Sequence, residues 1–289
     1  MNSTPDITII DLLRLEQIDT HRFRSVYHRE NFHDTLFGGQ VLGQALAAAC
    51  ATVEARYPHS LHAYFLRPGN NAEPVDYHTE VLRNGRSFST RRTVASQYGK
   101  AIFTVTASFH STEPGFSHQP AMPSVPAPES LPLSDSPPRE LVKRDAQTLA
   151  GNSDNPLLSD FDVRNASDTV LYDTKIQEPK TAYWFKSRYS LPEQNHFHHC
   201  ALAYLSDIGL LASSLLPHPT ALFKGDVMVA SIDHAMWFHT SDFRVDDWLL
   251  YCIESPWAGG ARGFGVSRVY TRDGVLVASA SQEGLIRPL

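Results

Sequence analysis

One carboxylate stands alone in the most apolar stretch of the chain. Asp207 lies within Ala201-Leu-Ala-Tyr-Leu-Ser-Asp-Ile-Gly-Leu-Leu-Ala-Ser-Ser-Leu-Leu216, where apolar residues fall on nearly every side of a predicted helix. Its own stripe carries Ala203 and Leu211 at i−4 and i+4. Asp in a helix interior costs up to about 0.7 kcal/mol relative to Ala, and burying its charge costs more. Such a group is either held by a structural partner or is a general base whose pKa desolvation has lifted. Both readings stand at this point. His196, His198 and His199 suggest a metal cluster, but no acidic or cysteine partner stands at ligand spacing, so surface or helix-start histidines are expected and no metal or cofactor. Trp257-Ala-Gly-Gly-Ala-Arg-Gly263 lacks the Lys-Ser/Thr ending of a P-loop. No Gly-x-Ser-x-Gly elbow exists, which argues against an acyl-serine intermediate.

The chain has 289 residues, enough for two domains and a large core. A formal net charge of −6 gives no electrostatic footprint for nucleic acid or an anionic membrane. Cys50, Cys200 and Cys252 are too scattered for a disulfide framework or a zinc site. The N-terminus lacks the basic region and long apolar run of a secretory signal. No stretch approaches the ~20 apolar residues of a membrane span. The last residues, Ile286-Arg-Pro-Leu289, are not the Ser-Lys-Leu peroxisomal address. A cytoplasmic protein follows, with the Asn-x-Ser/Thr matches at Asn2 and Asn165 left to chance.

These residues need elements to position them. An amphipathic segment over 7–18 and a strand over 21–29 precede an Ala-rich helix that opens on Gly38 and Gly39. Strands are predicted over 60–66, 75–82, 89–97 and 101–110. Eight prolines between Glu113 and Glu140 preclude a regular ladder or helix and predict a semi-rigid linker. Further strands are expected near Phe161–Arg164 and over 181–189, then the apolar helix, then 231–239, 248–254, 265–271 and 275–282. The second half therefore repeats the first. His62-Ala-Tyr-Phe answers His234-Ala-Met-Trp-Phe, Gly85-Arg-Ser-Phe88 answers Ala261-Arg-Gly-Phe264, and Gly99-Lys-Ala-Ile-Phe103 answers Asp273-Gly-Val-Leu-Val277. The helices match at a shorter offset, which implies a longer helix-to-strand connection in the second copy. Helix followed by a run of strands is an α+β order. One long helix and roughly five strands per copy, wrapped antiparallel and present twice, make a double hotdog. Its units are residues 1–112 and 141–289, joined by 113–140.

The motifs Phe37-Gly-Gly-Gln-Val-Leu-Gly-Gln-Ala45, Tyr64-Phe-Leu-Arg-Pro-Gly69, Tyr204-Leu-Ser-Asp207, Ser231-Ile-Asp-His234 and Ala280-Ser-Gln-Glu-Gly284 resemble the type II acyl-CoA thioesterases, both bacterial and peroxisomal. The resemblance spans both halves and leaves only the linker region unmatched. It implies a triad of Asp, Ser or Thr, and Gln that holds the attacking water; motif by motif these are Asp207, Ser231 and Gln282. The residue types suit the task. A carboxylate accepts the water's proton, while a hydroxyl and an amide fix its orientation.

The pattern of the last strand supports part of this independently. Leu276, Ala278, Ala280 and Gln282 share one face, so Gln282 ends a stripe directed at the helix. Taken alone, Gln282 also reads as an exposed strand-end amide, and Ser231 as a strand-start or helix-cap serine. Aligning Phe37-Gly-Gly-Gln with His198-His-Cys-Ala sets Leu46 opposite Asp207, so the first copy keeps the helix and lacks the base. Its glycines either present N–H groups to the thioester oxygen or serve close helix packing. The expectation is a cytoplasmic, homo-oligomeric hydrolase that cleaves medium- to long-chain fatty acyl-CoA. Two other readings are a hotdog enoyl-CoA hydratase, which would pair a His with Asp207, and a non-catalytic acyl-CoA sensor, which would need a further domain. Arg67 and Arg262 are candidates for the CoA phosphates, although loop arginines are commonly just solvated.

Overall fold

The computed structural model describes residues 7–29, 35–134, 156–171, 173–193, 196–222 and 224–289. The expected boundary at 140/141 and the Asn2 site lie outside them. A short helix α1 (Ile9–Leu13), with a capping box between Thr8 and Asp11, leads into strands β1 (Leu15–Gln17) and β2 (Arg22–Ser25). Helix α2 (Gly38–Cys50) follows, then β3 (Tyr57–Phe65), β4 (Asp76–Asn84), β5 (Phe88–Gln97) and β6 (Lys100–His110). The second half runs β7 (Phe161–Asn165), β8 (Lys180–Ser187), α3 (Phe197–Ser206), β9 (Val227–Ser231), β10 (Asp233–Phe238), β11 (Leu249–Gly259), β12 (Arg262–Thr271) and β13 (Leu276–Pro288).

The strands form one antiparallel sheet in the order β1-β2-β4-β5-β6-β3-β10-β13-β12-β11-β8-β7, with β9 added on β13. The order reads as two copies of one pattern that meet at the β3–β10 pair. Matching β-bulges fix the correspondence: the shift after Ala95 opposite Phe103 answers the shift after Val269 opposite Ala278. In that register Ala63, paired with Val105, answers Met236, paired with Ala280. The predicted echo of His62 with His234 is thus a slip of one residue. His62 points outward and His234 is buried, as a one-residue slip requires.

Helices α2 and α3 lie antiparallel within the sheet, and both are apolar almost all round. Gly39 and Gly43, one turn apart, let their backbones meet. A Cβ at Gly39 would overlap the Tyr204 carbonyl, and one at Gly43 would come within 2.9 Å of the Cys200 carbonyl.

Two expectations need correction. Neither central helix is long: α2 has 13 residues and α3 has 10. The predicted helix over 201–216 starts earlier, at Phe197, and ends at Ser206, leaving Asp207 as its C-cap. Gly209, at φ +76°, takes the left-handed conformation that turns the chain, and a short 3₁₀ turn resumes at Ala212–Leu215. The cost of a mid-helix Asp is thereby avoided. Of the two expectations for the histidines, helix start holds: His198 and His199 lie in the first turn of α3, with His199 4% exposed among Tyr57, Phe238 and Phe243.

Over its described residues, 113–134, the proline-rich segment forms no regular ladder, as expected, although a 3₁₀ turn stands at Pro128–Ser130, and it is tied down along its length. Met122, Val125 and Leu131 pack on the Trp184, Leu250 and Tyr270 cluster, away from the helices. The Trp184 Nε1–H donates to the Pro126 carbonyl at 2.9 Å, Gln119 bonds the backbone of Gly274 and Leu276, and Glu129 pairs with Arg272 through both oxygens. Prolines lack the N–H a ladder needs, and their stiffness suits a strap held by side chains. The longer helix-to-strand connection expected in the second copy is present: it contains the 3₁₀ turn and β9.

Candidate active site

The end of α3 points at the start of α2. Asp207 stands where the C-terminal end of α3 meets the start of α2 from the other repeat. The N-cap residue of α2, Phe37, makes no side-chain cap bond, and the Gly39 N–H donates instead to the Asp207 carboxylate. Asp207 therefore caps a helix from the other repeat, a favourable place for negative charge. Gly38 is held to glycine by the same contact, since a Cβ there would lie 2.7 Å from Asp207 Oδ2 and 2.9 Å from the Phe65 ring. Of the two readings offered for these glycines, the contacts support close packing. Gly39 serves the carboxylate, and both glycines serve close packing.

The three residues expected to act together do meet. Gln282 lies within β13 rather than at its end, because that strand runs on to Pro288, and its side chain is fully buried. Its amide NH₂ donates to Asp207 Oδ1 and, at 3.0 Å, to Ser231 Oγ. Ser231 closes β9, a strand the sequence pattern did not predict, and its hydroxyl donates to Asp207 Oδ1 over 3.4 Å. The run Val227-Met-Val-Ala230 just before it was the available signal for that strand. β9 pairs on β13 with Ser231 opposite Gly284, which sets the hydroxyl two positions along from Gln282.

Burial raises the pKa of Asp207 above the usual carboxylate value, and the bonds from Gln282, Gly39 and Ser231 pull partly against it. A position at the negative end of α3 acts in the same sense as burial. The result is a carboxylate more basic than a solvated one, fixed by three donors.

The other candidates stand apart. Arg262 pairs with Glu283 at 3.1 Å and lies over the Trp257 ring, and Arg67 bonds the Ala101 carbonyl. His198 accepts from the Val245 N–H. Among the described residues, no group of three or more His, Cys, Asp or Glu is placed to hold a metal.

The fold is thus a two-repeat hotdog in which a carboxylate, an amide and a hydroxyl are joined at the helix end. Comparison with known proteins agrees. The family models described as acyl-CoA thioesterase N-terminal domain and C-terminal domain match residues 28–110 and 128–286. Acyl-coenzyme A thioesterase 8 of Mus musculus is 40% identical, covering 97% of this chain and 89% of that protein. Acyl-CoA thioesterase 2 of Haemophilus influenzae is 39% identical over 96% of each chain. The crystal structure of acyl-CoA thioesterase II TesB2 from Mycobacterium marinum superposes with a TM-score of 0.77 at 37% identity, covering 97% of both chains. A hot dog protein from Alicyclobacillus acidocaldarius, 21% identical with a TM-score of 0.78, shares the fold. The chain belongs to the acyl-CoA thioesterase family.

Proposed function

We propose that this enzyme hydrolyses medium- to long-chain fatty acyl-CoA to the free acid and CoA by direct attack of a water activated by Asp207. The observation that carries the proposal is the buried, mutually bonded set of Asp207, Gln282 and Ser231. Asp207 takes the proton as the water oxygen bonds to the thioester carbon. The carbon–sulfur bond then breaks, and the proton passes to the leaving thiolate. Gln282 and Ser231 hold the carboxylate. The Gln282 Oε1 atom is buried and has no partner among the described residues, so it is available to accept the water's second hydrogen. A thiol is an easy leaving group, with a pKa near 8.5 in cysteine, so the chemistry needs a placed base more than an acid.

The hydratase reading is less favoured. The partners of Asp207 are Gln282, Gly39 and Ser231 rather than a histidine. The sensor reading is weaker still, because the similar proteins are thioesterases by name over nearly their whole length. We assign the proposed units to 1–112 and 141–289, joined by 113–140, and place the protein in the cytoplasm, where three free cysteines would stay reduced. A homo-oligomer fits the exposed Tyr64 and Trp237 on the central strands.

The test is release of free thiol from acyl-CoAs of increasing chain length, with and without a chelator. Turnover on medium and long chains, indifferent to the chelator, is expected. No turnover on any acyl-CoA, or turnover abolished by chelation, contradicts the proposal.

A further inference from the structure

The tetrapeptide Ser231-Ile-Asp-His234 has work for each of its residues, and only the first is absorbed by the triad. The Ile232 carbonyl accepts from the Phe65 N–H at 2.9 Å, which ties the strand to the ring packed on Gly38. Asp233 accepts from the Glu283 N–H at 2.8 Å, beside Gln282. His234 turns inward and is 1% exposed. It sits one residue before Ala235, which pairs with Ser281, so His234 and Gln282 are the next inward side chains on adjoining strands.

The imidazole reaches the residue before the base. His234 Nε2 lies 2.9 Å from Ser206 Oγ, and Ser206 Oγ lies 2.8 Å from the Ala203 carbonyl. A serine hydroxyl has one hydrogen, so the proton inventory assigns the tautomer. With hydrogen on Nε2, His234 donates to Ser206 and Ser206 donates to Ala203, and both bonds form. With hydrogen on Nδ1, one of the two is lost. The Nε2–H tautomer leaves a lone pair on Nδ1, which has no partner among the described residues. Burial holds the ring neutral by lowering its pKa to about 3, so it stays a single donor across the working pH range. The other polar group of Ser206 is held as well. Its carbonyl accepts from the Tyr251 hydroxyl at 2.7 Å. The last helical residue of α3 is thus gripped at its side chain and at its backbone by two strands of the same sheet that carries Gln282.

We propose that His234 is a positioning residue: through Ser206 it fixes the direction in which Asp207 leaves α3 and meets Gln282. This rests on the reading of Asp207 as the base. A helix end followed within three residues by a glycine turn is a place where the chain can pivot. A base displaced by about 1 Å can lose on the order of 10² in rate. The clamp removes that freedom without touching substrate.

The test uses the full chain and four variants, His234→Leu, His234→Gln, Ser206→Ala and His234→Leu with Ser206→Ala. Leu fills the space without a donor, whereas the Gln amide places an N–H where Nε2 stood. Expected are a kcat lowered ~10- to 100-fold in the Leu variant with KM within about twofold, and recovery of most of kcat in the Gln variant. Ser206→Ala should resemble His234→Leu, and the double variant should be no worse than either. Should the Leu variant fail to fold, Ser206→Ala and His234→Gln give the same decision. Normal kcat in Ser206→Ala or in a folded Leu variant, equal loss in Leu and Gln, or additive loss in the double variant overturns the inference. Asp207→Asn measured alongside separates the two failures. An active Asn variant removes the base, whereas an inactive one beside a fully active His234→Leu removes only the clamp.

Discussion

Asp207→Asn is expected to lower kcat by about 10²–10⁴ while leaving the chain folded. The amide matches the carboxylate in shape and still offers Oδ1 to Gln282 and Ser231, but it cannot take a proton. Stability should move little, and the reason lies in the sign of the pKa shift. The folded-state pKa of Asp207 is raised, so the native state holds that proton more tightly than the unfolded chain. Its contribution is fully present below the unfolded pKa of ~3.9 and is lost as pH rises through the folded value. At neutral pH the ionised group is therefore a cost, and the Asn variant is relieved of it. Activity runs the other way. In wild type kcat falls as pH drops through the raised pKa, and the Asn variant lacks that acid limb. Ser231→Ala and Gln282→Ala are expected to cost less, because each orients without accepting the proton. Normal turnover in a folded Asn variant, measured by thiol release, contradicts the assignment.

Asp207→Ala is expected to abolish nearly all turnover, not half of it. The fold has two central helices and two half-sheets but, among the described residues, one complete set of groups. The alignment that sets Leu46 opposite Asp207 also sets Cys200 opposite Gly39 and Tyr204 opposite Gly43. The two helix contacts, Gly39 with Tyr204 and Gly43 with Cys200, then exchange. In the same frame His199 stands where Gly38 does, and its ring packs 5.1 Å from Phe238 much as Gly38 meets Phe65. The bulge register puts Ala107 in the place of Gln282. The counterpart site has therefore lost its base and its amide, and a buried histidine, with a pKa lowered to about 3, occupies the space beside the helix start. Two equal and independent sites would leave about half of the wild-type rate. A residual rate near that value contradicts the one-site reading.

Much of this arrangement is legible in the sequence, for identifiable reasons. Alternation along Ala278, Ala280 and Gln282 carries a period that favours the inward aim of Gln282, against its other reading as an exposed strand-end amide. Leu276, expected on the same face, lies beyond the bulge and packs instead with Trp184, Leu250 and Tyr270. The run from Ala201 to Leu216 carries no period. A segment apolar on every side has no phase, and the break at Ser206 is signalled only by Asp207 and Gly209, which also occur within helices. Ser231 is visible through resemblance alone, because β9 is short and its serine ends it. The proline strap shows the limit of composition. Eight prolines exclude a ladder, but they do not say that Glu129 will meet Arg272 across 143 positions of sequence. The slip between His62 and His234 has a similar origin, since a repeated dipeptide weighs more by eye than the pleat does.

The central claim is that water attacks the acyl carbon directly while Asp207 takes its proton. Single turnover in H₂¹⁸O, with enzyme in excess over a long-chain acyl-CoA, tests this most directly. Direct attack places one ¹⁸O in the released fatty acid and none in the protein. If Asp207 instead attacked the thioester and water then opened the anhydride at the aspartyl carbon, the label would be found on Asp207. That result would contradict the mechanism proposed.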